Sequence, residues 1–412
     1  MSQAALVPKL RFSEFSDDWE EKRFVDITTK ISDGIHSTPN YDEGGTYSFV
    51  NGNNLVNGVI KINSQTKKVD ENEYTTHQRP LGSNTILISI NGTIGNLALY
   101  NNEKVVLGKS ACYLNINEKD TDKLYVFNLL RTCKIKRFFN SELTGSTIKN
   151  LSLTTIKNTK LNLPTKPEQQ KIAAFLTAVD NKIEQLSKKQ ALLGEYKKGL
   201  TQQIFSQAIR FKADDGSDFP DWKEKKLENV LKRTSTGLNP RQNFKLGYGE
   251  NYYVTIKNIS NGKLDFSKCE RIDENAMTMI ANRSDLSKGD LIMSSIGNVG
   301  ESYLLDKEPE NWNINESVFM LRASELMLPQ FLYFIITNEQ SKWYLESNST
   351  GSSFKSIKLG ELKLLPLGLP SLEEQTKIAN FLSSIDTKIE QVGKQLDESK
   401  QFKKALLQQM FV

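Results

Sequence analysis

The sequence predicts an α+β fold: two mixed α/β domains joined by two long helices that form an antiparallel coiled coil, the whole built as a pseudo-twofold repeat. Three observations carry this. Residues 163–206 and 369–412 align without a gap at an offset of 206, with 21 of 44 positions identical. Such self-similarity marks a duplicated unit. Each copy is strongly helical in pattern, with no proline in its interior. Between and before the two copies lie stretches of short apolar runs and polar turns, long enough for one domain each.

The helices come first because their apolar spacing is the sharpest signal. In the first copy Ile172, Leu176, Val179, Ile183, Leu186, Gln190, Leu193, Lys197, Leu200 and Ile204 step by four and three alternately. In the second, Ile378, Leu382, Ile385, Ile389, Val392, Leu396, Ser399, Lys403, Leu406 and Met410 do the same. A narrow a/d seam flanked by Lys, Glu and Gln is the pattern of a coiled coil. Glu168 and Glu374 fall in the first turns, and Lys197, Lys198, Lys403 and Lys404 towards the ends, which suits the helix dipole. A run of about 36 residues is roughly 54 Å long. The first helix ends where the second domain begins, and the second helix starts where that domain ends. A compact domain brings its ends together, so the second helix is expected to run back along the first. The expected segments are 1–163 for the first domain, 164–208 for the first helix, 209–369 for the second domain and 370–412 for the second helix.

Composition agrees with a folded chain of two domains. There are 412 residues, 38% hydrophobic and 25% charged, with a net charge of +5. No apolar run reaches the length of a membrane span. The N-terminal stretch has neither the basic nor the apolar region of a signal peptide, so a cytoplasmic location is expected. Three scattered cysteines, with no CxxC, argue against a disulfide framework or thiolate metal site. A mildly basic chain permits a nucleic-acid partner without demanding one.

The domains read as follows. Asp18-Trp19 and Asp221-Trp222 open matching lead-ins, each preceded by an Arg-Phe pair, Arg11-Phe12 and Arg210-Phe211. Trp19 and Trp222 are expected to anchor domain to helix. Residues 47–50, 85–90 and 105–107 read as strands, and Asp33-Gly34, Asn57-Gly58 and Asn91-Gly92 as turns. Residues 122–139 have helical spacing, with 328–344 as counterpart. The second domain repeats this plan with little identity. Asn258 and Asn261-Gly262 stand for Asn54 and Asn57-Gly58, residues 296–300 for 91–95, and residues 350–355 for 144–149. Similar helices with divergent domains suggest a shared partner for the helices and different tasks for the domains.

Nothing argues for catalysis. His36 and His77 are too few for a His-rich metal site or an HNH-type nuclease. Gly108-Lys109-Ser110 resembles the end of a P-loop, but Glu103 stands where the first glycine is required. Pro220-Asp221 with Glu224 and Lys226 is too compressed to place carboxylates on separate strands around a metal. There is no GxGxxG after a strand.

DNA binding has better candidates. The glycine loops at 92–95 and 297–300 expose backbone amides suited to phosphate. Those at 145–147 and 351–353, each followed two residues later by a lysine, are expected to do likewise. Asn, Gln, Arg and Lys read base edges. The candidate contacts are His36, Ser37, Thr38, Asn51, Asn53, Asn54, Arg79, Asn91, Thr93, Ser146, Thr147 and Lys149 in the first domain. In the second they are Arg241, Lys257, Asn258, Asn298, Ser352, Ser353 and Lys355. Each loop also reads simply as a tight turn closing a hairpin.

The whole chain resembles the specificity subunit of type I restriction-modification enzymes. The residues that carry this are the Pro-x-x-x-Glu-Gln-x-Lys-Ile-Ala-x-Phe-Leu helix starts at 164 and 370, the Asp-x-Lys-Ile-Glu-Gln runs at 180 and 386, and the Lys-Lys-x-Leu stretches at 197 and 403. The Asp-Trp lead-ins and the DGIHSTP segment at 33–39 also look like that family, although the second half has no evident DGIHSTP counterpart. The resemblance implies that each domain is a target-recognition domain for one half of a split DNA sequence, and because the two domains differ in sequence the split site is expected to be asymmetric. It implies helices that set the half-site spacing and dock two methyltransferase subunits, with nuclease-translocase subunits as possible additions. Catalysis, with S-adenosylmethionine, ATP and Mg, would then belong to the partners, and this chain would bind no cofactor or metal. Modules on one face of B-DNA lie about 34 Å apart, or a multiple of it, so deleting a heptad from each helix is expected to shorten the gap. The isolated chain is expected to bind weakly or aggregate. The rival readings are a standalone DNA-binding regulator, or a protein–protein adaptor with a coiled-coil rod. Co-purification with a methyltransferase and salt-dependent binding to random duplex separate the three.

Overall fold

A computed structural model describes residues 7–145, 149–241, 243–352 and 354–412. The chain forms two compact units, one of residues 1–188 with 393–412, the other of residues 189–392. The compact units therefore do not follow the four expected segments. Each long helix is divided between them, because burying the seam of one helix requires a piece of the other.

In the first unit a four-stranded sheet runs in the order Thr28–Asp33, Ala111–Ile116, Thr85–Ser89, Leu97–Leu99. A three-stranded sheet places Tyr47–Val50 between Lys68–Val69 and, in parallel, Val105–Leu107. The expected strands at 47–50, 85–90 and 105–107 are present, the second one residue shorter. All five residues of Thr85–Ser89 and all six of Ala111–Ile116 are buried. The central strands consequently read as near-continuous apolar runs rather than alternating ones. Asn57 and Gly58 both have positive φ (53° and 90°) and join the two-residue strands Leu55–Val56 and Val59–Ile60, the geometry of a tight primed hairpin turn.

The second unit has the same strand order. Leu231–Thr236, Val318–Ala323, Leu291–Ser294 and Ser302–Leu304 form the larger sheet; Glu270–Ile272, Asn251–Val254 and Trp312–Ile314 form the smaller. Asn261 and Gly262 repeat the tight turn. The helix expected over 122–139 is two helices, Lys123–Leu130 and Cys133–Ser141, because Thr132 leaves the helical conformation and accepts from the Ile135 amide as an N-cap. Asn338 breaks the counterpart in the same way, between Pro329–Thr337 and Glu339–Ser347.

The long helices are Lys166–Phe205 and Leu372–Gln409. Every seam position of both, from Ile172 to Ile204 and from Ile378 to Met410, is buried or half-buried, while the flanking positions are mostly exposed. They pair antiparallel. In the first unit the Lys403 ammonium meets Asp180; in the second Lys197 meets Asp386 at 2.6 Å. Both pairs share one register, and they account for the duplicated Asp-x-Lys-Ile and Lys-Lys-x-Leu runs. The lysines therefore lie further back than the dipole argument supposed: neither helix has a basic residue in its last turn. Burial pushes Lys403 below the ordinary lysine value, and Asp180 opposes that shift.

The duplicated Glu-Gln at each helix start is a clasp. Glu168 is fully buried and accepts from Arg11 Nε (2.8 Å) and Nη2 (2.7 Å). Glu374, also fully buried, accepts from Arg210 Nε (3.2 Å), Arg210 Nη2 (2.9 Å) and Trp222 Nε1 (3.0 Å). Phe12 and Phe211 pack edge-on against Phe175 and Phe381. Gln169 accepts from the Asp122 amide and Gln375 from the Leu328 amide, tying each helix start to a neighbouring one. The anchoring role expected for Trp222 holds. Trp19 is buried where Trp222 is half-buried, but its Nε1 has no hydrogen-bond partner among the described residues.

No helix among the described residues is long and apolar enough to cross a membrane. Nor, among them, are three or more His, Cys, Asp or Glu placed to hold a metal ion.

Candidate nucleic-acid interface

In each unit, loops distant in sequence gather at one end of the larger sheet. Two of the backbone bonds that gather them, and both bridges, recur in the two units, while the bonds around Gly34 and Gly237 differ. In the first unit Gly34 N donates to Ala111 O and Ile35 N to Leu107 O (2.7 Å). Ile90 N donates to Ser110 O, and Leu151 N to Ile90 O. Gly52 N donates to Ser110 Oγ, which donates on to Asn51 Oδ1. Bridges from Asn150 to Asn91 and to Thr144 set the glycine loop at 91–95 beside Thr144 and Asn150. In the second unit Gly237 N donates to Asn315 O, Ser295 N to Ser317 O and Ile357 N to Ser295 O. Ser356 bridges Ile296 and Thr350.

Gly34 corrects one expectation and resolves another. It is not a turn residue: its φ is not positive, and a Cβ there would lie 2.0 Å from Leu107 O. Glycine is needed because one backbone presses on another. Gly237 meets the same condition, with a Cβ 1.7 Å from Ile314 O. The counterpart of DGIHSTP in the second half is therefore Thr236-Gly237-Leu238-Asn239-Pro240, shorter and recognisable only by this close approach.

The candidate contacts separate into groups. His36, Ser37, Thr38, Asn53, Thr93 and Lys149 are exposed in the first unit's cluster, with Asn91 half-buried at its edge. His36 Nε2 lies 2.9 Å from Asp33 Oδ2. Lys257, Asn298, Ser352 and Lys355 are exposed in the second, and Arg241 is exposed in the loop after Pro240. Asn51 and Asn54 are committed to the fold: Asn54 Oδ1 accepts from the Asn51 amide and its Nδ2 donates to Lys61 O, while Asn51 Oδ1 takes the Ser110 hydroxyl. Asn258 is 2% exposed, accepts from Thr255 and donates to Asp265 O, so it caps a turn and presents no edge to a base. Arg79 is half-buried, with Nε buried and without a hydrogen-bond partner among the described residues. Ser146, Thr147 and Ser353 lie outside the described residues.

One position escaped the sequence reading. Lys109 follows Gly108 in the first unit, exposed, at the end of Val105–Leu107. At the end of the matching strand Trp312–Ile314 stands Glu316, half-buried, its Oε2 buried and without a hydrogen-bond partner among the described residues. Beside it Tyr253 gives its hydroxyl hydrogen to Leu238 O (2.7 Å), and burial together with Glu316 pushes that phenol up. A cation and an anion thus occupy equivalent places in the two clusters. Only strand-by-strand alignment reveals this, since the GKS and NES triplets share just a serine.

The chain matches a family model described as the type I restriction modification DNA specificity domain twice, over residues 16–193 and 220–398. It is 24% identical over 414 residues to the MjaVIII type I restriction enzyme specificity subunit of Methanocaldococcus jannaschii, covering 95% of this chain and 91% of the relative. It is 22% identical over 393 residues to the EcoBI specificity subunit of Escherichia coli, covering 89% and 81%. Its fold is similar to a type I restriction-modification S subunit from M. genitalium, at TM-score 0.60 and 16% identity over 99% of each chain. It is also similar to a chain from a structure describing complex assembly and conformational transition of the type I R-M system, at TM-score 0.53 and 17% identity, over 95% and 97%.

Proposed function

The chain belongs to the type I restriction-modification DNA specificity family, and on that premise we propose that its two loop clusters each read one half of a split DNA sequence. The chain is the non-catalytic specificity subunit of such a system; a standalone regulator and an adaptor are not favoured. The observation that carries the proposal is the repetition of one loop-gathering scheme in both units with different side chains on it, Lys109 against Glu316 among them. Exposed lysines position a duplex and differing side chains select its bases; the amides of Gly95, Gly297 and Gly300, expected to meet phosphate, instead donate to the Ser89, Lys355 and Ser294 carbonyls.

In this reading two methyltransferase subunits bind the duplicated helix surfaces, which are alike because the partners are alike, and nuclease-translocase subunits add to them. S-adenosylmethionine, ATP and Mg act on those partners. The helices that continue from one unit into the other set the gap between half-sites, and unlike clusters select unlike halves.

The test is genome-wide methylation mapping in a cell with and without this chain, its methyltransferase partner being present in both. The expected result is a motif of two unequal blocks that appears only with the chain. A chain that binds duplex tightly by itself and adds no methylation would overturn the reading.

A further inference from the structure

We propose that Phe354 is an aromatic wedge: its ring enters the base stack of the second half-site and holds a step open for the partner's reaction. This rests on the reading above, that the cluster meets DNA. Phe354 is 76% exposed, more than any other large apolar side chain described. Backbone bonds tie the chain on both sides of it. Thr350 N donates to Ser356 O and Ser356 N to Thr350 O, both at 2.9 Å, and Gly297 N donates to Lys355 O at 2.8 Å. Gly351 has φ +103°, and a Cβ on it would lie 2.4 Å from Phe354 O, so glycine is needed where the two backbone positions approach. Tying the chain on both sides of the ring lowers the ordering cost of insertion.

The neighbours favour a nucleic acid. Lys355 and Lys358 are exposed on either side of the half-buried Ser356, and Ser352 and Asn298 are exposed nearby in the cluster. Cations for phosphates around one apolar ring match the way minor-groove and architectural proteins insert a wedge between base steps. The first unit keeps the frame: Thr144 and Asn150 exchange the same pair of backbone bonds, Gly145 has φ +92°, and Lys149 matches Lys355. In sequence Ile148, which lies outside the described residues, stands where Phe354 does. An apolar residue followed by lysine thus persists in domains that otherwise diverged. Chemistry on a base requires that base to leave the stack, and a side chain that opens the step lowers that cost.

The test uses the full chain with its methyltransferase subunits and duplexes carrying the mapped motif, with 2-aminopurine at each position of the second half in turn. Wild type should raise 2-aminopurine fluorescence at one step. F354A should lose that rise and bind the motif about 5- to 100-fold more weakly, the worth of one stacking contact, while binding random duplex within about twofold. F354W should restore the rise. Full unstacking by F354A overturns the proposal, and so does loss of methyltransferase co-elution with the DNA signal unchanged, which would assign the ring to a protein interface. Loss of folded protein in F354A would mark the ring as packing and overturn it too. A motif still selected by a wedge-less chain leaves the half-site reading standing; no methylated motif at all takes both down.

Discussion

Removing Arg210 should harm the second unit more than removing the carboxylate it binds. Glu374 is fully buried and has three donors, two from Arg210 and one from Trp222. Arg210→Ala leaves a buried anion with a single neutral N–H, and stranding one member of a buried pair costs about 3–5 kcal/mol. Glu374→Ala strands a cation that is 24% exposed and still donates to Phe219 O and Pro220 O. That cation hydrates, so the loss should be about 1–3 kcal/mol, most of it the orphaned Trp222 N–H and lost packing. The double variant should lose at least about 2 kcal/mol less than the sum of the singles, because the two groups share one interaction. For a unit of about 200 residues each kcal/mol is roughly 2–4 °C of Tm. Urea titration followed by far-UV circular dichroism, with calorimetry as the second probe, measures all three variants. If both single variants fall within about 1 kcal/mol of wild type, or Glu374→Ala is the worse, the clasp does not hold the helix start. Glu168 has Arg11 alone as donor among the described residues, so Arg11→Ala should be at least as costly in the first unit.

Other outcomes follow from single contacts. Gly237→Ala and Gly34→Ala should each lose about 3 kcal/mol or more, or fail to fold, since the new methyl meets carbonyl oxygen at 1.7 and 2.0 Å; Gly199→Ala, in open space on a helix, should gain about 0.5–1 kcal/mol in the same melts. Lys403 has a lowered pKa through burial, so the unfolded chain holds its proton more tightly just below the ordinary lysine value of 10.5. Its cost is fully present at neutral pH and is relieved as pH rises towards that value, and Lys403→Met should be within about 1 kcal/mol of wild type at pH 7 and flatten the alkaline limb of the stability profile. Lys149→Ala and Lys355→Ala should each reduce the salt dependence of random-duplex binding by about one unit of slope, read by titration at several salt concentrations. Glu316→Lys should change the motif at one position of one half only, since an anion accepts from exocyclic amino groups and a cation donates to purine N7 and O6; an unaltered motif would count against Glu316 as a reader.

The helices were legible in the sequence because a seam imposes a period over ten positions, and Ile172 to Ile204 has few other ways to be buried. The tight turns at Asn57-Gly58 and Asn261-Gly262 were legible because both residues adopt positive φ, which Asn and Gly tolerate best. The clasp was visible only as repetition. Arg11 and Glu168 are 157 positions apart, and no local pattern states that they touch. Asn51, Asn54 and Asn258 could not be sorted from the exposed candidates in the sequence, because an amide that reads a base and an amide that caps a turn are the same group; only burial and partners tell them apart. Gly237 and Glu316 were missed because their significance is a place in a sheet, reached by alignment of strands and not of letters.

The first unit is closed by residues 393–412, which leave the ribosome after the whole of the second unit. Ile172, Leu176 and their core must wait for Leu406, Met410 and Phe411, whereas Ile204 finds Ile378 and Leu382 soon after both are made. Domains usually mature in the order of synthesis; here the earlier-made reader is the last to be finished. A premature stop near residue 393 would spare most of the later half and leave the earlier one gaping.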